Sequence, residues 1–161
     1  MAVLVPARMY TVSQVITNPG AVTNLNLQAH ATKPFVVVRA QIELAQATIP
    51  SAAHARVRLV RKTAAPTFGA TTIAASTFMN HDPTDSDAGL TAAHTATAEG
   101  TDGDFVEHGW GANTGWVFDW APTPEEYIVV PAGVANGFGL KHNVAPPAGN
   151  YAFTITFHEI G

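Results

Sequence analysis

Phe35-Val-Val-Val-Arg-Ala-Gln-Ile-Glu-Leu-Ala45 reads as a β-strand before anything else is known of the chain. Val36, Val38, Ala40, Ile42 and Leu44 alternate with Val37, Arg39, Gln41 and Glu43, and a pleated strand turns successive side chains to opposite faces. One row therefore packs inward while the other meets solvent. Tyr151–Glu159 repeats the device, with Tyr151, Phe153, Ile155 and Phe157 on one face and Ala152, Thr154, Thr156 and His158 on the other.

Shorter segments carry the same period: Met9–Val15, Leu25–Ala31, Ala55–Arg61, Thr71–Ser76, Phe105–Trp110, Gly115–Trp120, Tyr127–Val130 and Gly137–Lys141. Between them stand breakers such as Asn18-Pro19-Gly20, Lys33-Pro34, Ile49-Pro50, Pro122-Thr123-Pro124, Pro131-Ala132-Gly133 and Pro146-Pro147. Their spacing leaves no room for βαβ crossovers, and no long segment has a 3.6-residue apolar stripe. The fold class is therefore all-β, and the expected architecture is a two-sheet antiparallel jelly-roll sandwich. Residues 80–103 alternate least, with Asp82, Pro83, Asp85, Asp87 and Gly89 leading into an Ala/Thr-rich stretch, and they predict a long loop. Residues 1–8 read as a flexible N-terminal arm and 9–161 as one domain.

A domain of 161 residues buries roughly two-thirds of the surface its unfolded chain exposes, enough for a real core. No cysteine is present, so disulfides and thiolate metal sites are excluded. Charged residues make up only 12% of the chain, about half the usual share, which suits surface covered in the working state. No run approaches the roughly 18 apolar residues of a membrane-spanning helix, and no membrane partner is expected.

Charge is divided along the chain. Residues 1–62 hold seven bases against the single acid Glu43, a formal +6, and the remainder holds Lys141 against eleven acids, a formal −10. Either the fold keeps a basic end and an acidic end for oriented docking, or it interleaves the halves and cancels them. Arg56, Arg58, Arg61 and Lys62 concentrate the basic side, with Arg56 and Arg58 on one strand face and Ala55, Val57 and Leu59 on the other. With Arg8 they are the candidate basic contacts to a partner. A net negative chain without aromatics among these bases argues against nucleic acid.

No catalytic constellation emerges. Gly-x-Ser-x-Gly is absent, and Glu125-Glu126 are neighbours whose side chains diverge on extended backbone, unlike the facing carboxyls of a glycosidase. No His-x-His pair occurs to aim two imidazoles at one ion, and Asp82–Gly89 lacks the glutamate that closes a calcium loop. No cofactor or metal is expected. Trp110, Trp116 and Trp120 fall in one short window, with Trp116, Phe118 and Trp120 on one strand face. They read either as core or, at Trp116 and Trp120, as a platform for a sugar or a protein partner.

Gly115-Trp-Val-Phe-Asp-Trp-Ala-Pro-Thr-Pro-Glu-Glu-Tyr-Ile-Val-Val-Pro-Ala-Gly133, Gly137-Phe-Gly-Leu140 and Tyr151-Ala-Phe-Thr-Ile-Thr-Phe-His-Glu-Ile-Gly161 together resemble the C-terminal part of small jelly-roll proteins of tailed bacteriophages, among them head decoration (cement) proteins. The resemblance covers roughly the last third of the chain. It implies a homotrimer on the capsid surface of a virion, clamping neighbouring major capsid protein subunits; the arm and the basic ridge are then expected to face the shell or a neighbouring subunit, with the acidic 82–107 region at an outer end. Two rivals stand beside it: a phage tail or host-recognition module that stacks carbohydrate on tryptophan, and a jelly-roll metalloenzyme.

Overall fold

The computed structural model describes residues 8–111 and 116–161. Strands dominate: β1 (Arg8–Thr17), β2 (Thr23–Gln28), β3 (Phe35–Leu44), β4 (His54–Ala64), β5 (Thr67–Phe68), β6 (Thr72–Ile73), β7 (Met79–Asn80), β8 (Thr91–His94), β9 (Ala96–Ala98), β10 (Thr101–Gly111), β11 (Val117–Trp120), β12 (Ile128–Val130), β13 (Gly137–Val144) and β14 (Asn150–Glu159). Short 3-10 turns occupy Ala75–Thr77 and Pro124–Glu126. Among the described residues no helix is long and apolar enough to cross a membrane.

All pairings are antiparallel. One sheet, A, runs β11-β3-β14-β1-β7 with β12 also on β3, and the other, B, runs β10-β4-β13-β2-β8-β6. β5 and β9 form a separate two-stranded ribbon. The chain is thus an all-β sandwich. Its core is the pair of facing rows: Tyr10, Val12, Ile42, Tyr151, Phe153, Ile155 and Phe157 from A meet Leu25, Leu27, Val57, Leu59, Phe138 and Leu140 from B. The ring of Phe157 lies 5.5 Å from Tyr10, 5.8 Å from Phe35 and 6.2 Å from Phe78, joining three strands and the turn before β7. Burying each such side chain stabilises by about 1.5–3 kcal/mol.

The first half of β3 differs from the alternation read in sequence. Phe35 and Val37 are the buried residues, whereas Val36 and Val38 are half-exposed. The reason is a register shift against β14: Thr156 pairs with Arg39 but Phe157 pairs with Val37, so Val38 is an extra residue. Such a bulge moves every residue before it to the opposite face. Ala40 and Ile42, beyond the bulge, point inward as expected.

Residues 80–103 are not one long loop. The longest stretch without strand or helix is 81–90; β8 then adds to β2, β9 pairs with β5, and Thr101 already opens β10. Ala92, buried opposite Leu27, shows why the period was hidden, since an alanine-threonine run has little contrast between its two faces. The loop itself is pinned at both ends. Tyr10 donates to the Ser86 carbonyl at 2.8 Å, and the buried Glu159 carboxylate accepts the Gly89 and Leu90 amides at 2.7 and 3.2 Å while pairing with Lys33 at 3.3 Å. Residues 1–7 of the expected arm lie outside the described residues. Arg8 belongs to β1, opposite Glu159.

Candidate functional site

Two places concentrate the side chains singled out in sequence: the outer face of β4 and β10, and the corner where β10 approaches β11 and β12.

On β4 the two-residue period sends Ala55, Val57 and Leu59 into the core and Arg56, Arg58, Val60 and Lys62 to the outside of sheet B. β10 brings its own alternation to the same face, with Glu107 opposite Arg58 and Asp102 opposite Lys62. Arg56 and Arg58 both bind the Glu107 carboxylate, which is held below the usual glutamate range chiefly by the Arg58 hydrogen bond. The Arg58 guanidinium also sits 4.2 Å from the centre of the Phe105 ring. Arg61 pairs with Asp104 at 2.6 Å, and Arg8 with Asp85 at 3.4 Å.

Lys62 is not a surface residue. Its side chain is 0% exposed, ion-paired to Asp102 and, at 3.3 Å, to Glu99. Lys141 on β13, paired in register with Arg58, reaches the same two carboxylates at 2.8 and 3.1 Å. Thr23 completes the group, donating its backbone N–H and its hydroxyl to Glu99, each at 2.7 Å. The β9–β10 connection therefore lies as a strap across sheet B, clamped by two ammonium groups. Burial raises both carboxyl groups, but the hydrogen bonds outweigh it: Glu99 through Thr23 and Lys141, and Asp102 through Lys141 and Lys62, end below their ordinary values. Burial likewise works against the charge on Lys141, yet its two carboxylate partners raise it.

Two glycines make the clamp fit. A Cβ on Gly139 would stand 2.9 Å from the Thr23 methyl and 3.3 Å from the Lys62 Cε, so the bare backbone is what lets the lysine stem lie flat. Gly100 turns the strap at φ +67°, where a Cβ would come within 2.3 Å of the Ala64 carbonyl oxygen.

With Arg39 on Asp119 at 2.6 Å and Lys33 on Glu159, all eight lysines and arginines form ion pairs. The interleaved alternative for the divided charge is the one the fold adopts, since β4 from the basic stretch lies against β10 from the acidic one. The ridge expected to face a partner has its charge met within the chain. Asp82, read as a loop acid, accepts the Thr84 amide and hydroxyl at 2.9 and 2.7 Å. Among the described residues no group of three or more histidines, aspartates and glutamates is placed to hold a metal ion.

The tryptophans divide. Trp110 and Trp116 are 3% and 1% exposed, with ring centres 5.6 Å apart and both against Tyr151, so Trp116 is core and not a contact surface. It precedes β11 at φ +58°, yet it packs on the core side with Phe118 and half-exposed Trp120, as the alternation expects. Trp110 donates its indole N–H to the Nε2 of buried His142 at 3.2 Å, and burial pushes that imidazole down to about 4. Trp120 alone is half-exposed, at the edge of an open hollow of about 370 Å³ lined by Val106, His108, Pro122 and Ile128.

Sequence reasoning missed the clamp, the Glu159 anchor and the His142 contact. A signal for the first existed: Lys141 is the only base in the acidic part of the chain, and it follows Gly137-Phe-Gly139, two glycines on one strand face. No family model, no curated protein and no solved structure matches this chain.

Proposed function

We propose that the chain is a non-enzymatic structural protein of a phage virion, which decorates the outer surface of the capsid as a homotrimer and reinforces contacts between major capsid protein subunits. The observation that carries this reading is how the phage-like stretch is arranged: it supplies β11 to β14 in succession, from the aromatic strand through the Pro-rich turn to the final alternating strand. Strand order adds support. With β11 and β12 taken as two parts of one strand along β3, the eight principal strands run sixth-third-eighth-first in sheet A and fifth-fourth-seventh-second in sheet B, an order that supports a jelly-roll winding. Fold alone does not fix function. A filled core and internally satisfied bases fit a protein that acts by burying neutral surface, where weak contacts gain weight from repetition over a symmetric shell.

Mixing the purified chain with expanded, undecorated capsids tests the reading. Saturable co-sedimentation and a shell that withstands higher temperature are expected; failure to bind at any salt concentration overturns it. A second reading, carbohydrate binding, is favoured by the half-exposed indole of Trp120 beside its open hollow. Bacterial surface glycans that change tryptophan fluorescence in the native chain, but not in Trp120→Ala, would support that alternative.

A further inference from the structure

β10 is an eleven-residue strand hydrogen-bonded to β4 on one side, regular from Phe105 to Gly111 and bulged before Phe105, and among the described residues no strand pairs with its other side. An open edge of this length is a template for another strand, and proteins usually blunt such edges with lysine, proline or a covering segment. Thr101-Asp-Gly-Asp-Phe-Val-Glu-His-Gly-Trp-Gly111 contains neither lysine nor proline. It instead presents Phe105 and Val106, each 49% exposed. Val106 separates two hollows, one lined by Leu59, Phe105 and Ile128 and the other by His108, Trp120 and Ile128.

We infer that this edge is an interface between two copies of the chain, β10 pairing antiparallel with β10 about a two-fold axis at Val106. Donor–acceptor complementarity between a carboxylate and an imidazole selects both the occupant and the register. Asp104, Val106 and His108 alternate with Phe105 and Glu107, and Asp104 is 87% exposed. An axis at Val106 opposes Asp104 to the His108 of the second copy, twice, and opposes Val106 to itself. Moving the axis to Phe105 takes Asp104 away from His108, and moving it to Glu107 sets that acid against itself, which is unfavourable in a directly opposed pair. In the chosen register Phe105 faces a Glu107 whose charge Arg56 and Arg58 already take up, and it brings a second ring towards Arg58. The two-fold contact does not rest on the capsid reading and is distinct from the three-fold clustering that reading carries.

The absence of native cysteine makes the test direct. Directly opposed residues on antiparallel strands lie about 4.5–5.5 Å apart at Cα, within disulfide range. Val106→Cys is expected to give a disulfide-linked dimer as its main product under mild oxidation. Val15→Cys and Val117→Cys, exposed valines on sheet A, serve as collision controls. In parallel, the mass of the unmodified chain by sedimentation at high micromolar concentration is expected to be twice that of Val106→Lys, with unchanged circular dichroism. Cross-linking of Val106→Cys no faster than the controls overturns the inference, and so does equal mass for the native chain and Val106→Lys. A strand from a different protein on this edge would give that second, contradicting result.

Discussion

The two ends of the β4–β10 ladder carry the same chemistry in opposite settings. At one end Lys62 and Lys141 lie beneath a strap and hold its Glu99 and Asp102; at the other Arg56 and Arg58 hold Glu107 on an open face. The difference is coverage. Lys62 is sealed, whereas the Arg56 side chain is 58% exposed and competes with water and salt for its partner. A buried ion pair is not evidence of net stabilisation, yet removing one member leaves an uncompensated charge, and that is costly. Equal distances therefore predict unequal consequences.

The largest effect is expected from Lys62→Ala. With Glu99 and Asp102 left facing Lys141 alone, urea denaturation should show a loss of about 3–5 kcal/mol. Replacing Lys62 together with both acids by apolar residues of similar volume should recover most of that loss.

Acid should act next, and on three groups in one direction. The unfolded chain protonates His142 near 6.5 while the folded chain resists until about 4, so stability present at neutral pH falls as pH drops between those values, by about 3 kcal/mol for this group. Glu99 and Asp102 have lowered folded values, so their contribution is present above the unfolded carboxyl range and is lost as pH falls through the folded values. A series of urea midpoints from pH 7 downward checks both. His142→Gln should flatten the upper part of that curve and leave the lower part.

Gly139→Ala probes the clamp without touching a charge. The added methyl crowds the Thr23 methyl and the Lys62 stem, and a loss of about 1–3 kcal/mol in thermal or urea unfolding is expected from overpacking. Arg56→Ala should have the smallest effect, leaving the unfolding midpoint nearly unchanged because Arg58 still holds Glu107.

Much of this molecule is legible from residue order. Tyr151, Phe153, Ile155 and Phe157 are all fully buried, because bulky and polar residues alternate strictly along β14. β3 is legible only beyond Val38: Phe35–Val38 is four apolar residues in a row, and nothing local says where the bulge falls. Arg56 and Arg58 were placed on one face correctly, but whether that face is open at Lys62 depends on a strap 37 residues further along, which no periodicity reports. Trp116 is legible as core from alternation, as on β14, since Trp116, Phe118 and Trp120 turn inward in alternation with exposed Val117 and Asp119 even though Trp116 itself sits at positive φ. The divided charge was a true observation about the chain whose spatial meaning only the β4–β10 register decides.

The central claim is that coverage, and not pairing, sets what an ion pair contributes on this ladder. Double-mutant cycles for Lys62 with Asp102 and for Arg56 with Glu107, each measured at low and at high salt, test it most directly. The account predicts a coupling several times larger at Lys62 that salt leaves unchanged, against a weaker one at Arg56 that salt erodes. Equal couplings with equal salt sensitivity would contradict it.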